Sequence, residues 1–126
     1  MEKTVMIVDD SITTRVAVKS ALKKDGYLVE EAINGIDALK KLEEFKKARK
    51  KINLIISDIN MPQMDGITFI KELKKEISYK FTPVLILTTE SQENMKLKGK
   101  QAGATGWLVK PFQPSQLYEI VKKIIR

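Results

Sequence analysis

With 126 residues, 43% of them apolar, the chain has the size of one compact domain with an ordinary core. It contains neither cysteine nor histidine, which excludes disulfides, thiol chemistry, His-based metal sites and Ser-His triads. A formal charge of +7 would suit a polyanion, but the cations are dispersed, and Lys46, Lys47, Arg49, Lys50 and Lys51 read as a solvated helix end and loop, so no DNA partner is expected.

In chain order, Val5 to Val8 is a short apolar run that meets Asp9 and Asp10 too soon to be a signal peptide. No stretch approaches the ~20 apolar residues of a membrane span. A cytoplasmic protein with no membrane partner is the expectation. A first helix is expected from Ser11 or Thr13, both suitable N-caps, to Gly26. Tyr27 to Ala32 alternates in part and reads as an edge strand. Ile36, Leu39, Leu42 and Phe45 form the apolar stripe of a second helix. Leu54 to Ile56 is the next apolar run, and Asp65-Gly66 reads as a tight turn before a third helix carried by Ile67, Ile70 and Leu73. Val84 to Leu87 is another run. The segment from Ser91 to Ala102 is a poor helix, with only Met95, Leu97 and Ala102 for a buried face, and is expected to be loosely attached. Trp107 to Val109 is the last run, followed by a helix with Leu117, Ile120, Val121 and Ile124 inward. The four continuous runs read as strands buried on both faces.

Five strands alternating with helices imply an α/β fold, a doubly wound parallel sheet with helices on both faces, because crossovers are right-handed. Five strands suit the flavodoxin-like order 2-1-3-4-5. One domain over residues 1–126, with no effector domain, is expected.

Ligands in such sheets bind beyond the carboxyl ends of the strands. There the sequence places Asp9 and Asp10 after the first strand, Asp58 after the third, Thr88 and Thr89 after the fourth, and Lys110-Pro111 after the fifth. Each residue alone has a plainer explanation as a cap, a turn or a surface group. Together they are three acids, a hydroxyl and an ammonium converging on one crevice. Crowded carboxylates repel, and a bound cation offsets that charge. Oxygen ligands with room for water suit Mg²⁺, so Asp10 and Asp58 are candidate ligands, with Asp9 direct or through water. No Gly-x-Gly-x-x-Gly or Gly-x-x-x-x-Gly-Lys-[Ser/Thr] cradle is present for a nucleotide.

Asp9-Asp10-Ser11, Asp58 within Ser-Asp-Ile-Asn-Met-Pro-Gln-Met-Asp-Gly, Thr88 and Lys110-Pro111-Phe112 together resemble the receiver domains of two-component response regulators. The stretch from Thr88 to Phe112, with Glu90-Ser91 and Gly103-Ala104-Thr105-Gly106-Trp107, is most similar to stand-alone chemotaxis regulators of the CheY type, as is Arg15 after the first acids. The resemblance implies that Asp58 takes a phosphoryl group from a sensor histidine kinase. It implies Mg²⁺ on Asp9, Asp10, Asp58 and the backbone carbonyl of Asn60, with Lys110 and Thr88 on phosphoryl oxygens. It further implies a cis peptide at Lys110-Pro111, a switch through Thr88 and Trp107 to the face of the fourth helix, fifth strand and fifth helix, and control of phosphoryl lifetime by Asn60, Thr89 and Glu90. Such a protein is a phosphoacceptor assisting its own phosphorylation and dephosphorylation, not an enzyme in the ordinary sense. Its implied partners are the kinase, a flagellar motor switch protein or equivalent, and a phosphatase. Lys96, Lys98, Lys100, Lys122 and Lys123 would make the output face basic, to suit an acidic segment. Two alternatives are a receiver acting as a phosphate sink without protein output, and a Mg²⁺-dependent phosphohydrolase, for which Asp-x-Asp after the first strand is missing.

Overall fold

In a computed structural model describing residues 2–125, the chain alternates strand and helix throughout. The order is β1 (Thr4–Val8), α1 (Ile12–Lys24), β2 (Leu28–Ala32), α2 (Gly35–Lys47), β3 (Leu54–Ser57), α3 (Gly66–Lys75), β4 (Val84–Thr88), α4 (Glu93–Ala102), β5 (Gly106–Val109) and α5 (Pro114–Ile124). The five strands are parallel in the order β2-β1-β3-β4-β5, as the alternation implied. Successive residues of a strand point to opposite faces, and this divides the core in two. Met6, Val8, Ile55, Val84 and Ile86 meet the helices α2, α3 and α4 through Leu42, Phe69, Ile70, Leu73 and Ala102. Val5, Ile7, Leu54, Ile56, Leu85 and Leu87 meet α1 and α5 through Val18, Leu22, Leu117 and Val121. Strands buried on both sides cannot alternate polar and apolar residues, which is why β1, β3 and β4 are continuous apolar runs.

Local chemistry sets the helix ends. Ser11 caps α1 by accepting the Thr14 N–H at 3.2 Å, whereas Thr13 lies inside the helix. The helix stops at Lys24, and Gly26 follows with φ +89°, a left-handed conformation that favours glycine. Asp65-Gly66 is not a separate tight turn: Asp65 is the N-cap of α3, accepting the Thr68 N–H at 2.9 Å, and Gly66 is the first helical residue. The charged run at the end of α2 and beyond it is partly engaged, with Lys46 in the last turn paired to Glu43 and Lys50 in the loop to Glu30.

Three other expectations are corrected. β5 is half-buried along its whole length, because its place at one end of the strand order leaves it a single neighbour, β4. Ile36 is largely exposed: the buried face of α2 runs through Gly35, Ala38 and Leu42, and at 3.6 residues per turn Ile36 stands about 100° from Gly35. Leu97 is likewise exposed, since α4 buries Gly99 and Ala102, and a residue two positions from Gly99 faces nearly the opposite way. With only those two small residues buried, and no side-chain cap from Gln92, α4 is the most lightly anchored helix.

Candidate functional site

The carboxyl ends of β1, β3, β4 and β5 form one edge, because parallel pairing sets Val8 beside Ser57 and Thr88 beside Val109. Asp9, Asp10, Asp58 and Lys110 leave this edge and converge. One carboxylate oxygen from each of Asp9, Asp10 and Asp58 lies within 4.8 Å of the others. Lys110 Nζ donates to Asp9 Oδ2 at 2.8 Å and to Asp58 Oδ2 at 3.1 Å. Asp9 is buried and Asp10 exposed, so the cluster has a closed floor and an open mouth.

Asp9 is the most constrained member. Its Oδ1 accepts the Ser11 N–H at 2.9 Å, and its backbone carbonyl accepts from Arg15 Nη1 at 2.7 Å. Arg15 in turn contacts Glu31 of β2 at 3.4 Å, and Glu31 accepts from Lys19 Nζ at 3.0 Å. Local sequence marks Arg15 only through the family resemblance; its clamp on the Asp9 loop depends on the tertiary structure. The Lys19 hydrogen bond outweighs partial burial and holds the Glu31 carboxyl below its ordinary value.

Asp58 has one oxygen committed to the backbone: Oδ1 accepts the Ile59 N–H at 2.6 Å and the Asn60 N–H at 3.3 Å. Its other oxygen faces Lys110. The preceding Ser57 donates its hydroxyl to the Asp58 carbonyl at 2.9 Å. Gly66, which sequence reading assigned only to a turn, lies against that same carbonyl, and an added Cβ would fall 2.1 Å from the oxygen. The start of α3 is therefore packed onto the backbone that carries Asp58.

For Lys110, burial lowers the pKa, but the Asp9 hydrogen bond and the charges of Asp58 and Asp9 prevail, so the ammonium is held above its ordinary value. The Lys110-Pro111 peptide is cis. Thr88 is fully buried at the end of β4 and makes no direct hydrogen bond to the acids; its Oγ1 accepts the Glu90 N–H at 3.3 Å. Thr89 and Asn60 are exposed, and Glu90 is half-buried. Trp107 is half-buried in β5 beside Ile86, and its indole N–H donates to the Glu90 carbonyl at 3.0 Å. Gly99 of α4 lies close to the indole, where a Cβ would sit 3.0 Å from Cζ3. A chain of contacts thus runs from Thr88 through Glu90 and Trp107 to α4.

Three convergent carboxylates are hard oxygen donors, and the open mouth leaves room for water and a further oxygen ligand, so the residues present fit a small divalent cation. The Asp58 carboxylate is held in place by two N–H groups and one ammonium. Among the described residues no helix is long and apolar enough to cross a membrane.

A family model for the response regulator receiver domain matches residues 5–122. The chain is 37% identical over 125 residues to the chemotaxis protein CheY of Thermotoga maritima, covering 98% of each. It is 34% identical over 122 residues to the sensor histidine kinase CheAY of Helicobacter pylori, covering 97% of this chain but only 15% of that much longer protein. Among solved structures, the chemotaxis protein CheY4 of Vibrio cholerae superposes with a TM-score of 0.89 at 46% identity, covering 98% of this chain and 99% of that one. The matched span, the 2-1-3-4-5 sheet and the cluster at its carboxyl edge agree, and the chain belongs to the response regulator receiver domain family, in its chemotaxis CheY-type branch.

Proposed function

We propose that this chain is a phosphorylation switch in which Asp58 accepts a phosphoryl group from the phosphohistidine of a sensor histidine kinase. The observation that carries the reading is the Asp58 carboxylate, oriented by Ile59 and Asn60 N–H groups within reach of Asp9, Asp10 and Lys110. A carboxylate oxygen attacks phosphorus, the P–N bond to histidine breaks, and the product is an acyl phosphate on Asp58. Mg²⁺, held by Asp9, Asp10, Asp58 and the Asn60 carbonyl, would supply neutralisation of charge on the phosphoryl oxygens. Lys110 pairs with one phosphoryl oxygen and the Thr88 hydroxyl donates to another, which suits a loose transition state where positioning and charge do most of the catalysis. Asn60, Thr89 and Glu90 border the site and govern access of hydrolytic water, alone or with a phosphatase. In this reading the protein is a phosphoacceptor that assists its own modification. The match to a stretch of a sensor histidine kinase, together with the likeness to a chemotaxis protein, supports a chemotaxis kinase as donor.

Incubation with Mg²⁺ and acetyl phosphate is expected to add one base-labile phosphoryl group, seen by intact-mass measurement, and Asp58→Asn is expected to take up none. Labelling that persists in Asp58→Asn would place the acceptor elsewhere.

The output face is proposed to be α4, β5 and α5. A groove of about 330 Å³ lies there between Lys96, Lys100, Ala104, Thr105, Gly106 and Trp107, with no carboxylate in its lining. It suits an acidic, partly helical segment of an output protein such as a flagellar motor switch protein. Movement of Thr88 toward the phosphoryl group would pull on Glu90, release the indole N–H and shift the lightly anchored α4, a change of small energetic cost. Because Trp107 is the single tryptophan, loading with beryllofluoride and Mg²⁺ is expected to change the emission maximum and quenching of the protein. An unchanged spectrum in fully loaded protein would make Trp107 a fixed anchor.

A further inference from the structure

The opposite, N-terminal edge of the sheet has a distinct surface chemistry. Two adjoining grooves there share Lys51, Ile52, Ser78 and Thr82. The larger, about 430 Å³, also reaches Lys3, Asn53, Ile77, Phe81 and Ile124, and the smaller, about 230 Å³, reaches Lys46, Arg49 and Lys50. No carboxylate lines either groove. Lys46 and Lys50 are paired with acids, whereas Lys3, Arg49, Lys51 and Lys80 form no ion pair among the described residues. Glu76, next to Ile77 in sequence, lines a different groove between α2 and α3, and Glu2, next to Lys3, lines neither groove.

Two large apolar side chains stand out of this basic surface. Ile77 is 89% exposed and Phe81 87% exposed, both on the connection between α3 and β4. Their backbone is pinned. Tyr79 between them is buried and donates its hydroxyl to the Leu42 carbonyl at 2.5 Å, while Lys74 Nζ donates to the carbonyls of Thr82 at 2.5 Å and Lys80 at 3.3 Å. The Tyr79 and Thr82 N–H groups close local turns onto Glu76 and Tyr79. A loop held this firmly presents Ile77 and Phe81 at little entropic cost on binding. Lys80 Nζ lies 5.6 Å from the Phe81 ring centroid, an aromatic with a cation at its side.

We propose that this edge docks the protein onto an anionic lipid surface, with Ile77 and Phe81 entering the interface and Lys3, Arg49, Lys51 and Lys80 meeting the lipid phosphates. Ile77 and Phe81 border the larger groove yet stay almost fully in water, so their side chains are free to enter a fluid interface. Single-stranded nucleic acid is less well matched, because Ile77 offers no face for base stacking. The unpaired cations without carboxylates favour anionic over zwitterionic lipid, and their attraction weakens with salt. Surface docking needs no spanning segment, so it is compatible with a chain whose described helices are too short to cross a membrane. The acidic cluster lies a strand length away, roughly 15 Å at about 3.3 Å per residue, so a docked protein keeps that site open.

The test is flotation with phosphatidylcholine vesicles containing about one-third phosphatidylserine, against pure phosphatidylcholine, at low and near-physiological salt. The wild-type protein is expected to float with the anionic vesicles only, and less at higher salt. The Ile77→Ser, Phe81→Ser double variant is expected to partition about tenfold less or weaker, and Arg49→Glu, Lys51→Glu to lose binding similarly. Lys96→Glu, Lys100→Glu, on the α4 face, should float as the wild type does. Unchanged labelling by acetyl phosphate in the Ile77→Ser, Phe81→Ser variant verifies that it is folded. The proposal is overturned if the wild type fails to float at low salt, or if the α4-face variant loses as much binding as the others. It is equally overturned if the protein binds a single-stranded oligonucleotide through Phe81 and leaves the vesicles alone.

Discussion

Gly66→Ala is expected to lower stability by about 3 kcal/mol in urea titration and to abolish Mg²⁺-dependent labelling of Asp58, an effect large for the addition of one methyl group. The Cβ would meet the Asp58 carbonyl oxygen at 2.1 Å, the Ile59 Cα at 2.8 Å and the Asp58 carbonyl carbon at 3.0 Å. All three are backbone atoms with little freedom to yield. The Asp58 N–H is bonded to the Val8 carbonyl at 3.0 Å, and the Gly66 N–H to the Ile59 carbonyl at 2.8 Å. Relief requires moving either α3 or the segment bearing the proposed phosphoacceptor, so stability and labelling should fall together. Gly106→Ala is the control. Its Cβ would approach only side-chain ends, Leu85 Cδ1 at 3.2 Å and Ile120 Cδ1 at 3.5 Å, so a cost of about 1 kcal/mol or less and normal labelling are expected. Equal damage from the two substitutions would show that contact with the Asp58 carbonyl is not the cause.

Lys110→Met should be the second large effect. The side chains of Lys110, Asp9 and Asp58 are 16%, 3% and 11% exposed, so the ammonium neutralises carboxylates that water reaches poorly. Removing one member of such a group leaves uncompensated charge, at a cost of about 3 kcal/mol. In metal-free buffer at neutral pH the variant is expected to unfold at lower urea, and millimolar Mg²⁺ should restore much of the loss by binding only the folded cluster. The pH dependence has a definite sign. The Asp9 and Asp58 carboxylates overcome burial and raise the Lys110 pKa. The stabilisation is therefore fully present below the ordinary lysine value and is lost as pH rises through the raised one. Wild-type and Lys110→Met curves should stay apart throughout the neutral range and converge in strong alkali. Equal urea midpoints at neutral pH without metal would show that the ammonium contributes no net stability.

Both effects depend on contacts that differ in how far they could be foreseen. Continuous apolar runs at Val5, Leu54 and Val84 already specified strands buried on two faces, because only such a strand has no solvent side to mark. Ser11 specified the start of α1 through one local hydrogen bond. Alternation of elements, with the rule that crossovers are right-handed, specified the sheet and the edge where acids, Thr88 and Lys110 would meet. These signals are local or periodic, and a single sequence carries them in full.

The tertiary structure decided what no periodicity records. Asp9 and Lys110 form their ion pair across 101 positions of chain, and the atoms that touch depend on how each strand end turns. The Arg15 clamp on the Asp9 carbonyl and the contact of Gly66 with the Asp58 carbonyl arise where separate elements abut. Ile36 and Leu97 belong to apolar patterns yet face outward, since helix rotation is set by what the sheet leaves to be covered. Ile77 and Phe81 lie exposed for the same reason: the loop's buried anchor is Tyr79, and one residue can hold that position. Sequence alone thus determined the elements, their order and the chemistry at one edge of the sheet. Packing of distant segments decided which atoms meet there, and which apolar side chains stay in water.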